Sequence, residues 1–248
     1  MIHLKSTEEI ELLRQSNRLV AKLLEKLRKL VAPGITTGEL NAVAEEYILK
    51  NGAIPSFKGY AGFPACICTS VNNEVVHGIP GKSMLQKGDI ISIDAGVRLN
   101  SFCGDATITV PVGTVSKEAQ RLIKVTSRAL EIGIAQAVPG NRVGDISHAV
   151  QSFVEGQGYS IVRDFVGHGV GKDMHEDPQV PHFGKPGTGP LLEVGLVIAI
   201  EPMVNIGDYK LKILADGWTV VTVDGSLSAQ FEHSIAITAK GPDILSKL

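Results

Sequence analysis

The sequence predicts an α+β fold in which two similar halves share one antiparallel sheet, with helices covering one side. Three observations predict it: an internal repeat, two helices in each half with clear start and stop signals on the first, and apolar β-runs that recur in both halves. Residues 33–40, Pro33-Gly34-Ile35-Thr36-Thr37-Gly38-Glu39-Leu40, resemble residues 139–146, Pro139-Gly140-Asn141-Arg142-Val143-Gly144-Asp145-Ile146, at an offset of 106. Residues 85–94, ending in Ile93-Asp94, align with residues 192–201, ending in Ile200-Glu201, at an offset of 107. Two separate segments with nearly equal offsets define a duplicated chain, too short in repeats for a solenoid.

Each element follows from local signals. Ser6 and Glu9 form a capping box for a helix running to about Lys29, with Ile10, Leu13, Val20, Leu24 and Leu27 on one face and Ala32-Pro33-Gly34 as the stop. Each half then reads as long helix, second helix and antiparallel hairpin: 7–30, 37–51 and 90–110, followed by 116–137, 143–157 and 196–237. Residues 185–190, rich in glycine and proline, form a surface loop too short to divide domains. The expectation is one catalytic domain over residues 1–248, with approximate halves 1–111 and 112–248.

Bulk composition excludes several classes. The 248 residues are 44% hydrophobic and 20% charged, ordinary for a globular protein with a sizeable core. A net charge of −2 argues against a general nucleic-acid or membrane-surface binder. Cys66, Cys68 and Cys103 are odd in number and lack the spacing of a zinc ribbon or a disulfide framework, so reduced core thiols and a cytoplasmic location are expected. Glu8, Glu9 and Glu11 stand where a secretory leader would be apolar.

The acidic residues in the β-runs carry the chemistry. Asp94 and Asp105 lie on the two strands of the 90–110 hairpin, and reversal at Leu99-Asn100 would set them directly opposite. Two carboxylates about 5 Å apart in an effective dielectric of about 20 repel by about 3 kcal/mol, so a cation or a retained proton is required. The repeat makes Glu201 the counterpart of Asp94, and period-2 alternation in Phe231-Glu232-His233-Ser234-Ile235 turns Glu232 away from the apolar face. Four carboxylates with one imidazole, His168 in Gly167-His168-Gly169, suit manganese, iron, cobalt or zinc. Two such ions would polarise a carbonyl and generate hydroxide near neutral pH. His77 and His175, in glycine- and proline-rich turns, are placed to donate to a substrate amide or a developing oxyanion. His3, His148, His182 and His233 read as structural or surface histidines. Phosphate-loop, dinucleotide, helical zinc-protease and serine-hydrolase motifs are all incomplete.

With these residues assembled, the chain resembles the type I methionine aminopeptidases. The matching stretches include Gly88-Asp89-Ile90-Ile91-Ser92-Ile93-Asp94, Gly104-Asp105, Gly167-His168-Gly169-Val170-Gly171, His175-Glu176-Asp177-Pro178, Ile200-Glu201-Pro202-Met203 and Phe231-Glu232-His233. The resemblance implies the pita-bread fold, two pseudo-symmetric halves with a central curved antiparallel sheet covered by helices around a dinuclear metal centre. It implies that Asp94, Asp105, His168, Glu201 and Glu232 hold two divalent ions (cobalt, manganese, iron, zinc or nickel). It further implies that Glu201 shuttles the proton, that His77 and His175 hold the scissile peptide, and that Tyr60, Phe63, Cys68 and Trp218 line the methionine pocket. Phe63 stands where many members have Tyr, and Met174 where an aromatic residue or Leu is common. The implied activity is removal of the initiator methionine from nascent chains near the ribosome exit, favouring a small second residue. A minimal bacterial form, monomeric and without nucleic-acid or membrane partners, is expected. Proline-specific peptidases of the same fold, and its non-catalytic binding relatives, are the alternatives.

Overall fold

A computed structural model describes residues 1–248. Its four helices are α1 (Thr7–Leu30), α2 (Thr37–Lys50), α3 (Lys117–Gln136) and α4 (Val143–Gly156). The first half carries strands β1 (Ile54–Pro55), β2 (Ile67–Val71), β3 (Glu74–Val76), β4 (Ile90–Leu99) and β5 (Phe102–Pro111). The second half carries β6 (Ser160–Ile161), β7 (Gly167–Gly169), β8 (Glu176–Val180), β9 (Val197–Ile200) and β10 (Met203–Asn205). It continues with β11 (Leu211–Ile213), β12 (Val220–Thr222), β13 (Ser228–Gln230), β14 (Glu232–Thr238) and β15 (Gly241–Ile244).

The helix ends obey the expected chemistry. Ser6 and Glu9 exchange capping hydrogen bonds at α1, as do Thr36 and Glu39 at α2, satisfying amides that have no partner within the helix. The repeat is visible in backbone bonds. Gly34 N–H donates to Leu85 O, and Gly140 N–H donates to Leu192 O. Thr37 and Val143 donate likewise to Ser83 O and Pro190 O. Gly38 and Gly144 are both pressed against a loop carbonyl, where a Cβ would come within 2.8 Å of Gly81 O or 2.4 Å of Lys185 O.

Nine strands form one antiparallel sheet in the order β1-β4-β5-β14-β9-β7-β8, with β2 also paired to β4 and β15 to β14. The β5–β14 pairing joins the two halves. On the helical side, α1 and α2 bury Leu23, Leu27, Leu40 and Ile48 against β4, while α3 and α4 bury Leu122, Ile146 and Val150 against β9 and β14. The 196–237 hairpin is a true pairing of β9 with β14, but the connection between them builds four further strands. These strands belong to two three-stranded sheets, β13-β10-β6 and β11-β12-β3.

The register of the first hairpin differs from the expectation. The chain reverses at Asn100-Ser101, both with positive φ (51° and 68°), not at Leu99-Asn100. Asp105 therefore faces Gly96, and Asp94 faces Thr107. Two central residues with positive φ give a turn whose twist matches the strands, which reversal at Leu99 would not. The shift is two residues, so Asp94 and Asp105 stay on one face as diagonal neighbours.

Ser101 tolerates its left-handed backbone poorly, while glycine adopts it freely. Ser101→Gly is expected to raise stability by about 0.5–1 kcal/mol in urea unfolding. A loss of stability would contradict the turn geometry.

Candidate metal centre

The sheet registers align the acidic residues in one transverse row. Cys68 on β2 pairs with Asp94 on β4, Asp94 with Thr107 on β5, and Thr107 with Glu232 on β14. The β14–β9 register pairs His233 with Ile200, and its continuation by one residue brings Glu201 opposite Glu232. Strands lie about 4.8 Å apart, so the row compresses these carboxylates into a short span. Asp105 sits two residues from Thr107 on β5, on the same face.

His168 reaches this row from β7. Its Nε2 lies 3.7 Å from Asp105 Oδ2 and 3.6 Å from Glu201 Oε1. Its Nδ1 lies 2.9 Å from its neighbour's carbonyl, Gly169 O. A proton on Nδ1 donates to that carbonyl and leaves Nε2 as the free electron pair facing the acids. Asp105, His168 and Glu232 each present one atom within a 4.8 Å cluster.

The electrostatics of the row are unfavourable as they stand. Burial pushes the carboxyls of Asp94, Asp105, Glu201 and Glu232 above their ordinary range, and repulsion among the acids adds to the rise for the last three. Burial holds His168 down to about 4, so its ring is neutral at pH 7. Thr107 donates to Glu232 Oε2 at 2.8 Å, and Gln230 Nε2 donates to Glu201 Oε2 at 3.2 Å. Asp94 Oδ1, Asp105 Oδ1 and Glu232 Oε1 are buried with no hydrogen-bond partner. Oxygen-rich ligation with one neutral imidazole, and three buried oxygens still requiring a positive partner, fits a divalent metal.

Around the row, a cleft extends over Tyr60, Phe63, Cys68, His77, His175 and Trp218, so the structure brings every predicted site residue together. Phe63 meets the Trp218 ring edge-on, with centroids 5.1 Å apart. His77, with a φ of 59°, packs against Phe165 and Trp218. Burial lowers His77 to about 4 and also lowers His175. Tyr60 is more than a pocket wall, because its hydroxyl lies 2.7 Å from His175 Nδ1. His175 in turn stacks edge-on against His168, with centroids 4.3 Å apart.

Several supporting residues were not legible beforehand. Phe57, Val76, Phe165, Val166 and Gln230 also line the cleft. Asn17 on α1 accepts from the Asp105 N–H at 3.2 Å, while Ser234 donates to Asp105 O at 2.9 Å. His182, read as an ordinary structural histidine, is fully buried and accepts from the Glu201 N–H at 2.9 Å.

The sequence profile of metallopeptidase family M24 matches residues 11–239. The chain belongs to that family. The methionine aminopeptidase 1 of Bacillus subtilis is 54% identical over 248 residues, covering all of both chains. A crystal structure of methionine aminopeptidase from Thermotoga maritima superposes with a TM-score of 0.98 at 45% identity, again covering all of both chains. The Xaa-Pro dipeptidase of Bacillus anthracis shares the fold, with a TM-score of 0.80 at 21% identity. The likeness covers 99% of this chain but 62% of that one. The pita-bread architecture expected from the motifs is therefore the observed one, and the chain is a metal-dependent hydrolase.

The raised carboxyls have a measurable consequence. Each binds its proton more tightly when folded than unfolded. Their contribution to stability is therefore fully present below about pH 4, the ordinary carboxylate range, and is lost as pH rises through the raised folded values. Chelated Asp94→Asn protein is expected to melt about 3 °C or more above chelated wild type at pH 8, the gap closing toward pH 5. Equal melting at pH 8 would count against repulsion in the row.

Proposed function

We propose that this chain removes N-terminal methionine from nascent proteins and peptides, favouring a small second residue. The observation that carries the proposal is the adjoining of an apolar slot and a row of under-partnered carboxylates. Phe63, Cys68 and Trp218 make the slot, which suits an unbranched thioether. Asp94, Asp105, His168, Glu201 and Glu232 are the residues that would hold two divalent ions, with cobalt, manganese, iron, zinc and nickel all compatible with the donor set. Bound there, the ions supply Lewis acidity toward the scissile carbonyl and acidify the attacking water.

The chain's own residues do the rest. Glu201 accepts the proton of the attacking water and returns it to the leaving amine, a role its carboxylate can fill because it sits at the end of the acidic row, 3.6 Å from His168 Nε2. With the Tyr60 hydroxyl 2.7 Å from His175 Nδ1, donation by the hydroxyl would leave the ring proton on Nε2, where it can donate to the substrate. His77 and His175 are uncharged at neutral pH and can hold the peptide and the developing oxyanion by N–H donation.

Residues 1–248 act as one catalytic domain, with halves meeting near residue 111 and their strands sharing the β5–β14 pairing. No helix is long and apolar enough to cross a membrane. We further infer a cytoplasmic monomer that meets its substrates near the ribosome exit, as expected for an enzyme of emerging N-termini. The likeness to a proline-specific dipeptidase rests on the fold alone and does not favour that substrate.

Reconstitution tests the reading. Protein loaded with cobalt, manganese or iron is expected to release methionine from Met-Ala-Ser and to spare peptides starting with Pro or Leu. No release with any of the three would sink the proposal. His168→Ala is expected to lose both metal and activity, while His175→Ala keeps metal and loses about 10²-fold or more in rate. Equal metal loss in both variants would remove His175 from its substrate-facing role.

A further inference from the structure

Glu201 lies one residue beyond β9, where the sheet no longer supplies its N–H with an acceptor. That N–H donates instead to Nε2 of His182, a side chain with no exposure to solvent. The accepting Nε2 is necessarily the unprotonated ring nitrogen, so the contact specifies one neutral tautomer.

The segment bearing His182 is itself pinned from both sides by α4. Ser147 Oγ donates to Pro181 O immediately before it. Gly184 N–H donates to Gln151 Oε1 at 3.0 Å just after it. A continuous path therefore runs from α4, through residues 181–184, to the backbone of Glu201.

We propose that His182 is a positioning residue that fixes the Glu201 backbone so that its carboxylate stays aimed at the row. The inference rests on the reading of Glu201 as a metal ligand. Gln230 restrains the carboxylate end of Glu201, and His182 restrains its main chain. With both ends held, the side chain has little freedom to swing out of reach of His168. Support of this kind around ligands governs metal affinity as well as rate.

Calorimetric titration of metal-free protein with cobalt(II), alongside the visible spectrum of the bound ion, tests this. His182→Leu is expected to weaken one of the two equivalents by about 10–100-fold and to alter the cobalt spectrum. His182→Gln, whose terminal amide oxygen reaches the position of Nε2, is expected to restore affinity to within about threefold of wild type. A merely space-filling role would not distinguish the amide from leucine. Should His182→Leu fail to fold, His182→Asn replaces it, because its shorter amide stops near the position of Nδ1 and should bind as weakly as expected for leucine. Wild-type affinity in His182→Leu or His182→Asn overturns the inference, as does a His182→Gln protein no tighter than either. Glu201→Ala separates the two readings. Loss of one equivalent in Glu201→Ala with unchanged binding in the His182 variants overturns the positioning role alone. Retention of both equivalents in Glu201→Ala overturns the ligand reading and the inference together.

Discussion

Mutual repulsion among buried carboxylates is the constraint on which the rest of this molecule depends. Asp94, Asp105, Glu201 and Glu232 gather on one face of a sheet that buries Asp105 and Glu232 almost completely. Left to themselves they oppose folding, because desolvation and like charge act in the same direction. The surrounding structure supplies partial relief through Thr107 and Gln230 but leaves three carboxylate oxygens without partners. A protein organised this way uses the stability of its two helical cores to hold an arrangement that only positive charge completes.

The sheet register turns that cost into placement. Because Cys68, Asp94, Thr107 and Glu232 follow one another across four strands, with Glu201 just beyond β9, one wall of the apolar slot lies in line with the acids. The elements behind the row serve the same end. Asn17 from α1 takes the Asp105 N–H, and α4 braces the segment that carries His182. Each half contributes helices that steady the main chain of an acidic residue on the far side of the sheet.

Much of this was legible in the sequence, for identifiable reasons. Helix ends are announced by short-range chemistry, so Ser6 with Glu9 marks the start of α1 at the residue observed, and the same chemistry at Thr36 and Glu39 opens α2. The duplication linked Asp94 to Glu201, and alternation set Glu232 on its face. The hairpin register was not legible, because a shift of two residues leaves every side chain on the same face and so leaves the hydrophobic pattern unchanged. The small strands β10 to β13 are three residues each, too short for periodicity to announce them. His182 reads in the sequence as a structural or surface histidine because a side chain that accepts from a distant main-chain N–H needs no neighbouring motif. Tyr60 was placed in the pocket, but its hydroxyl contact with His175 depends on two segments 115 residues apart.

The two-residue turn at Asn100-Ser101 has a meaning beyond its own backbone. Exposed hairpin tips are ordinarily where chains accept insertions and deletions most readily. Here the tip acts as a ruler between Asp94 and Asp105. One added residue that shifted the pairing by one would turn Asp105 to the helical face, and two would slide it along the strand away from its diagonal neighbour. The loop's length sets the register, and its two left-handed residues restrict its composition, so the site's geometry is guarded at a place outside the cleft.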